Sequence, residues 1–252
     1  RPVHFLPQKV VSFQDGSQYS RLDHSLVRCT FGASVGIEVR GDDHDNLYNL
    51  IDHNYFHDLR QTNLLPDSRW EGAGVFNEGE PVQIGFGDSS LLTHPVYATI
   101  AYNLFEDAAS DPEMISSKSS YNTIEYNTFV DGYYVSLRSG TDSVMRSNYF
   151  FSSFLSLHGS DHLVSDNYIL NGYFGIELAN GDGSAALNVD NNVFSHNTVV
   201  GNHRALYLNS NADRNPEVPT GNVFSMNVFH SSDSQVIYDR GHQETVWDDN
   251  VV

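Results

Sequence analysis

Cysteine, basic residues and long apolar runs are all scarce in this chain. A single cysteine, Cys29, in 252 residues excludes an internal disulfide framework and a cysteine-rich metal site. Thirteen basic residues against 32 acidic ones give a formal net charge of −19, which argues against a nucleic-acid partner because phosphate binding needs a basic surface. No apolar run approaches the roughly 20 residues that span a bilayer, so we expect no membrane partner.

A short motif recurs along the chain: two apolar residues, two variable residues, Asn, one variable residue and a further apolar residue. The Asn of each copy is, in chain order, Asn54, Asn103, Asn127, Asn148, Asn167, Asn197, Asn227 and Asn250, and Ser25 replaces Asn in an earlier copy. Short runs of Val, Ile, Phe and Tyr between Gly, Asn, Asp and Ser are typical of strands and turns, and no long segment has a helical period. The motif predicts an all-β, single-domain parallel β-helix over residues 1–252, a solenoid with one coil per copy.

Asn at a fixed place in each coil is expected to form a ladder of side-chain amides. Such a ladder would hydrogen-bond the bent backbone that regular sheet hydrogen bonds cannot reach. The interval of 49 residues between Asn54 and Asn103 predicts one extra coil plus a loop. Both chain ends fall inside a repeat and would expose unpaired strand edges. We therefore expect part of a longer protein, missing end coils, or a partner chain that caps an end.

Counting from the ladder residues predicts a stripe of polar side chains on one face, one from each successive coil. Its members are Lys118, Arg138, His158, Glu177 and Tyr207, with an insertion allowed for before Lys118. Neighbouring coils lie about 4.8 Å apart, so a stripe of this kind suits a linear polymer lying across the coils. An ordinary solvated face is the alternative. Basic residues are scarce in this chain, however. Two of them, Lys118 and Arg138, lie one coil apart beside Asp111 and Glu113, which favours a functional role for this face.

The residues around this stripe resemble the polysaccharide lyase family that includes alginate lyases and chondroitinase B. The resemblance rests on Asp111-x-Glu113-x-Ile115-Ser116-x-Lys118-Ser119, followed one coil later by Leu137-Arg138-x-Gly140. Upstream, Asn77 with Gly79 and then Gln83-Ile84-Gly85 is similar to a further family segment. The remainder of the chain is similar to the family mainly in the pattern of its repeated motif.

The resemblance implies a right-handed parallel β-helix that cleaves a uronic-acid polymer by β-elimination. It implies Lys118 as the Brønsted base that removes the C5 proton and Arg138 as the acid. It also implies Ca²⁺ held by Asn77, Asp111 and Glu113. The cation would take up charge that develops on the substrate carboxylate, and oxygen ligands suit Ca²⁺.

Three features qualify these roles. A guanidinium stays charged in proteins, so Arg138 is better suited to stabilising the leaving oxygen or the substrate carboxylate, with Tyr133, Tyr134 or water as the proton source. Strict strand alternation would put Glu113 and Lys118 on opposite faces, so we expect a turn or bulge near Ser116-Ser117. Asp111-Pro112-Glu113 stands where the family often has Glu-x-Glu, which leaves the calcium requirement open.

Several further side chains are expected on the same face and are predicted to bind substrate. They are Tyr133, Tyr134, His158, Glu177, Arg204 and Tyr207. Alginate is the preferred substrate, because a sulfated chondroitin-type polymer would need more cationic partners. A uronan C5-epimerase and a non-catalytic polysaccharide-binding β-helix are the alternatives. The acidic chain also favours a secreted or periplasmic protein.

Overall fold

The computed structural model describes residues 9–28, 35–39, 43–59, 80–85, 91–108, 113–179, 188–209, 218–233, 235–241 and 243–252. All regular secondary structure in these residues is β-strand. Within the same ranges no helix is long and apolar enough to cross a membrane. The strands are numbered β1 to β26 in chain order and fall into three parallel sheets.

Each sheet takes every third strand of the chain. Sheet A contains β1 (Val11–Phe13), β4 (Val35–Ile37), β7 (Val82–Ile84), β10 (Glu113–Lys118), β13 (Tyr134–Ser139), β16 (Phe154–Leu157), β19 (Phe174–Ala179), β22 (Arg204–Asn209) and β25 (Ile237–Asp239). Sheet B contains β2 (Arg21–Asp23), β5 (Leu50–Asp52), β8 (Thr99–Ala101), β11 (Thr123–Glu125), β14 (Val144–Arg146), β17 (Leu163–Ser165), β20 (Val193–Ser195), β23 (Val223–Ser225) and β26 (Val246–Asp248). Sheet C contains β3 (Leu26–Arg28), β6 (Tyr55–Leu59), β9 (Leu104–Ala108), β12 (Thr128–Val130), β15 (Tyr149–Phe151), β18 (Tyr168–Leu170), β21 (Thr198–Asn202) and β24 (Val228–Ser231).

This order is a right-handed parallel β-helix, as predicted. Each coil runs through sheets A, B and C in turn and pairs with the coil before and after it. The expected extra coil between Asn54 and Asn103 is wrong. Strand β6 pairs directly with β9, and β5 pairs directly with β8. The two asparagines therefore lie in neighbouring coils, and the added length between them makes no coil of its own.

The interior is filled by apolar side chains that repeat in register from coil to coil. Sheet C contributes a column of stacked phenylalanines, in which the rings of Phe56 and Phe105 lie 4.5 Å apart and those of Phe129 and Phe150 lie 4.8 Å apart. All four rings are fully buried. Burying one such side chain stabilises the fold by about 1.5–3 kcal/mol, and each stacked pair adds about 1 kcal/mol.

The predicted asparagine ladder is confirmed. Asn103 is representative: its backbone N–H donates to Asn127 Oδ1 at 3.0 Å, and its side-chain amide donates to the carbonyl of Ile51 at 2.9 Å. The residue before each ladder position has a left-handed backbone, for example Tyr126 at φ 54° and Ser147 at φ 55°. A bend of that kind turns the backbone groups away from the sheet. The amide ladder satisfies them inside the coil.

A second ladder, which the sequence analysis missed, lies five residues before the first. Four of its positions are Asn49, Asn122, Asn192 and Asn222. Between them the ladder continues through other residue types, with Asn122 N–H donating to Ser143 Oγ at 3.1 Å and Ser143 N–H donating to His162 Nδ1 at 3.1 Å. Burial lowers the pKa of His162 to about 4. His162 is therefore a neutral acceptor that replaces an asparagine in the scaffold.

Candidate functional site

The site predicted from sequence lies on the outward face of sheet A. Apolar residues such as Ile115 and Leu137 point inward and are fully buried, so the polar residues between them point outward. The pairing of β10 with β13 shifts register twice, between Glu113 and Ile115 and between Ser117 and Lys118. The expected bulge near Ser116-Ser117 is therefore confirmed. The other shift, between Glu113 and Ile115, has Met114 as an extra residue of β10 and allows Glu113 and Lys118 to share a face despite their odd spacing.

The single polar stripe predicted from residue counting is wrong. Register pairs Ser116 with Ser136 and Ser156, and then with Glu177 and Tyr207. Lys118, Arg138 and His158 each come two residues after a serine of that column and therefore lie beside it. The register shift in β13 pairs Lys118 with Ser139, so Arg138 is out of line with Lys118. The count failed because the turn before sheet A varies in length. The serine of the column lies nine residues after the ladder residue in one coil, from Asn127 to Ser136, but eight residues after it in the next, from Asn148 to Ser156.

Lys118 is held by a buried carboxylate. Its Nζ lies 3.2 Å from Glu80 Oε1, and the two side chains are only 10% and 1% exposed. Glu80 comes just before β7, the strand that pairs with β10. The sequence analysis did not assign Glu80 a role, although it directly follows the Asn77-Glu78-Gly79 segment used for the family resemblance. An amine fixed at the end of a strand beside a single carboxylate has a defined position and few alternative rotamers.

Arg138 lies one coil further on and contacts Glu113. Its NH1 is 3.2 Å from Glu113 Oε1, with the arginine side chain 43% exposed and the glutamate 3% exposed. Arg138 occupies the extra position of the second bulge, because Ser117 pairs with Leu137 and Lys118 pairs with Ser139. The guanidinium is thus anchored by a buried acid, while a large part of the arginine side chain is exposed. Such a group can bind a carboxylate of an incoming ligand.

Of the three predicted calcium ligands, only Glu113 lies in the described part of the chain; Asn77 and Asp111 lie outside it. A buried carboxylate on the outward face is a suitable oxygen donor for Ca²⁺. One of its oxygens already accepts a hydrogen bond from Arg138. Within the described ranges no three His, Cys, Asp or Glu side chains are grouped to hold a metal ion. The calcium site stays a prediction.

Further polar and aromatic side chains of the predicted site lie near this pair on sheet A and the turn before it. Ser156 Oγ donates to Glu177 Oε2 at 3.1 Å and lies 3.4 Å from His158 Nε2. Burial raises the pKa of Glu177, and the hydrogen bond from Ser156 partly opposes that rise. The ring of Tyr133 is 51% exposed and lies 5.4 Å from the ring of Tyr134.

Tyr207 forms the centre of an aromatic cluster. Its ring stacks on Phe174 at 4.7 Å and on Tyr238 at 5.2 Å. The Arg204 guanidinium lies over both tyrosine rings, 5.2 Å from Tyr207 and 4.6 Å from Tyr238. The structure thus brings the predicted residues Arg204 and Tyr207 together and adds Tyr238, which residue counting had not reached. Aromatic faces and guanidinium groups both bind sugar acids.

These groups are distributed along the axis of the solenoid. From Lys118 on β10 to Tyr238 on β25 the chain takes five steps between neighbouring strands of sheet A, or about 24 Å at 4.8 Å per step. The fold and this face define a parallel β-helix protein with an elongated outward surface. An anchored amine and guanidinium lie towards one end of it and aromatic rings towards the other.

Comparison with known proteins agrees with that class. A family model described as chondroitinase B matches residues 8–198, well over half of the chain. The chain therefore belongs to the chondroitinase B family. No curated protein sequence matches it.

Solved structures of polysaccharide lyases share the fold. They include a mannuronic acid specific polysaccharide family 6 lyase enzyme from human gut microbiota (TM-score 0.74, 20% identity, 91% of this chain and 52% of that one). The PL6 family alginate lyase AlyGC superposes with a TM-score of 0.76 at 20% identity, over 93% of this chain and 33% of that one. A PL6 alginate lyase in complex with trisaccharide has a TM-score of 0.62 at 19% identity, over 92% and 56%. The chain spans about a third to a little over half the length of these relatives.

Proposed function

We propose that this chain is the β-helical part of a polysaccharide lyase that cleaves a uronic-acid polymer, and specifically alginate, by β-elimination. The observation that carries the proposal is the placement of Lys118 and Arg138 on neighbouring coils, each anchored by a buried glutamate on the outward face of sheet A. Membership of the chondroitinase B family supports the reaction type. The names of the similar structures, which are alginate lyases, support the substrate.

Lys118 is the base in this proposal. Its neutral amine takes the proton from C5 of a uronate, and the electron pair left behind forms the C4–C5 double bond as the C4–O bond to the next sugar breaks. The leaving oxygen takes up a proton. The products are a shortened chain and a second chain that ends in an unsaturated sugar. A base placed by a rigid strand contributes about 10²–10⁴-fold to such a step.

Arg138 stabilises the negative charge. Removing the C5 proton shifts charge onto a carboxylate that is already anionic, so a fixed cation beside it lowers the barrier. The buried Glu113 orients the guanidinium, while the exposed part of Arg138 faces the substrate. The proton for the leaving oxygen comes from Tyr133, Tyr134 or water.

Calcium is part of the proposal as an aid to charge stabilisation. Asn77, Asp111 and Glu113 would hold the ion, which when bound would polarise the substrate carboxylate. The reaction with chelator present tests this directly, because Arg138 alone would then have to stabilise the charge.

The remaining predicted residues bind the rest of the polymer. Glu177, His158 and the cluster of Arg204 and Tyr207 lie on successive coils beyond Arg138, which is the arrangement that a linear substrate requires. A polymeric substrate is encountered outside the cytoplasm, which is consistent with a secreted or periplasmic location.

The test is ultraviolet absorbance during incubation with alginate, for this chain and for Lys118→Ala, each with calcium and with chelator. The unmutated chain should produce a rising absorbance from the unsaturated sugar, and Lys118→Ala should not. Loss under chelation would establish the metal. Alginate binding without any absorbance change would contradict the lyase proposal and indicate a binding module, and altered C5 configuration without chain shortening would indicate an epimerase.

A further inference from the structure

The chain uses lysine only twice. Its thirteen basic residues are eleven arginines and two lysines, Lys9 and Lys118. Both lysines lie at the outward face of sheet A, and both are buried. Lys9 Nζ is 3.5 Å from Glu38 Oε1, with both side chains 5% exposed. Buried charges at such low exposure are costly unless they are paired, so this second ion pair is not an ordinary surface contact.

The side chain of Lys9 lies over Gly36, which has no side chain of its own. A Cβ built on Gly36 of β4 would lie 2.2 Å from Cδ and 2.3 Å from Nζ of Lys9. Gly36 pairs with Gln83 of β7, and Gln83 pairs with Ser116 of β10. The lysine side chain therefore occupies the outward column of the site, in the space where other coils have a side chain of their own.

The two ion pairs form one electrostatic cluster. Burial lowers the pKa of Lys9 to about 8; the charges of Glu38 and Glu80 oppose this, and the charge of Lys118 adds to it. The Lys9 side chain lies over β4, and β4 pairs with β7, the strand that follows Glu80, the partner of Lys118. Among the described residues, the two pairs bring two lysines and two glutamates together, with side chains that are at most 10% exposed.

We propose that Lys9 is a positioning residue for the base: it shares the negative charge of Glu80 and Glu38, so that Lys118 can lose its proton although it lies against a buried carboxylate. This inference rests on the proposed role of Lys118. A lone carboxylate beside an amine generally favours the charged ammonium, which cannot act as a base. A second buried cation that serves the same carboxylate reduces that preference.

The proposal predicts opposite effects for two substitutions. Lys9→Met removes one of the two lysine charges near Glu38 and Glu80, so Lys118 should keep its proton to a higher pH. Glu80→Gln removes the nearest anion, so Lys118 should release its proton at a lower pH. Arg138 and Glu113 on the next coil are the same in both variants and cannot produce opposite shifts.

The test uses chains labelled with carbon-13 at the ε carbon of lysine. Only two lysine signals exist, so the Lys118 signal is assigned by its loss in Lys118→Ala and followed against pH by NMR. The titration midpoint should move upward by about one pH unit in Lys9→Met and downward in Glu80→Gln. Gly36→Ala keeps every charge but displaces the Lys9 side chain, and it should shift the midpoint upward by less. It also replaces Lys9→Met if that variant fails to fold.

Arg146→Met is the matched control. It removes a cation from a surface pair, Arg146 Nε with Glu125 Oε2 at 2.7 Å, and should leave the Lys118 signal unchanged. An unmoved midpoint in folded Lys9→Met or Gly36→Ala overturns the inference, as does a shift of the same size in the control.

The pH profile of kcat/KM on alginate separates this inference from the proposed function. Its acidic limb should move upward in Lys9→Met and downward in Glu80→Gln. If Lys118→Ala still eliminates, Lys118 is not the base and the proposed function is wrong, whatever the NMR shows. If Lys118→Ala is inactive while Lys9→Met changes neither limb nor midpoint, only the role of Lys9 is wrong.

Discussion

The asparagine ladder and the outward face of sheet A belong to the same coils but follow opposite rules. In the ladder the same residue recurs from coil to coil, and each Asn makes the same bonds to its neighbours, as Asn127 and Asn167 do. On the outward face of sheet A three coils repeat a serine, but the groups beside and beyond that column change along the axis, from Glu80 and Lys118 to Glu177 and Tyr207.

This difference separates scaffold from site. A coil can stack on the next one indefinitely when both present the same groups, so repetition follows from the needs of the fold. A ligand presents different atoms along its length, so a binding face has to vary. Residues that interrupt the repeat, and especially buried charges that interrupt it, are therefore the ones to test for function. His162 shows the limit of this rule, because it interrupts a ladder and is structural.

The largest expected effect concerns the ladder itself. Asn127→Leu should lower the free energy of unfolding by about 4 kcal/mol or more, because several buried backbone and amide groups lose a partner and each costs about 1–3 kcal/mol. Denaturant unfolding measures the change. Tyr126→Asn is the control: it replaces an exposed neighbour with a residue that tolerates a left-handed backbone. It loses only the stacking of Tyr126 on Tyr102 and should cost about 1 kcal/mol. An equally mild result for Asn127→Leu would contradict the structural role of the ladder.

His162 should make the stability depend on pH. Its pKa is about 4 in the folded chain and about 6.5 when unfolded, so between these values the unfolded chain binds a proton that the folded chain does not. Stability should therefore fall as the pH drops from 6.5 to 4, by about 3 kcal/mol from this group.

The check for His162 is unfolding at a series of pH values. His162→Asn should restore the ladder residue found in other coils and remove this part of the pH dependence. His196→Asn, at an exposed position, should leave it in place. If both variants keep the full dependence, another group is responsible.

Arg138→Ala should separate activity from stability. Loss of the guanidinium should reduce kcat/KM on alginate by about 100-fold, because a fixed positive group beside the developing charge is gone. The pair with Glu113 is partly exposed, so Arg138→Lys should keep the fold and recover part of the activity. A large fall in Tm together with unchanged kcat/KM per folded molecule would place Arg138 in the scaffold instead.

The smallest expected effect is at Glu177. Its pKa is raised by burial, so the folded chain favours the protonated carboxyl and loses stability as the pH rises above the unfolded value. Glu177→Gln should therefore raise Tm at neutral pH by about 2 °C, and the gain should disappear in acid. Glu244→Gln, at an exposed position, is the comparison and should show no such gain. A lower Tm for Glu177→Gln at neutral pH would contradict the assignment.

Much of the scaffold could be predicted because its signals are local and repeated. The Asn motif indicated the coils, and the odd spacing of Glu113 and Lys118 indicated a bulge. The prediction of a single polar stripe failed because a one-residue change in a turn shifts the register of the whole strand that follows. No local sequence pattern indicates the length of the turn. The second ladder was missed because Ser143 and His162 interrupt its asparagines, although the constant offset of five residues was present in the sequence.

By itself, the sequence determined that the chain forms a parallel β-helix with an amide ladder, because each coil repeats the same apolar and Asn positions and neighbouring coils need nothing else to stack. Its motifs also predicted Lys118 and Arg138 as the reactive pair, and that assignment stays a prediction. Only the tertiary structure decided their partners. Lys118 meets Glu80 across 38 residues, and Lys9 joins them from the start of the described chain. Such contacts depend on which strands are neighbours and on their register, which no single stretch of sequence contains.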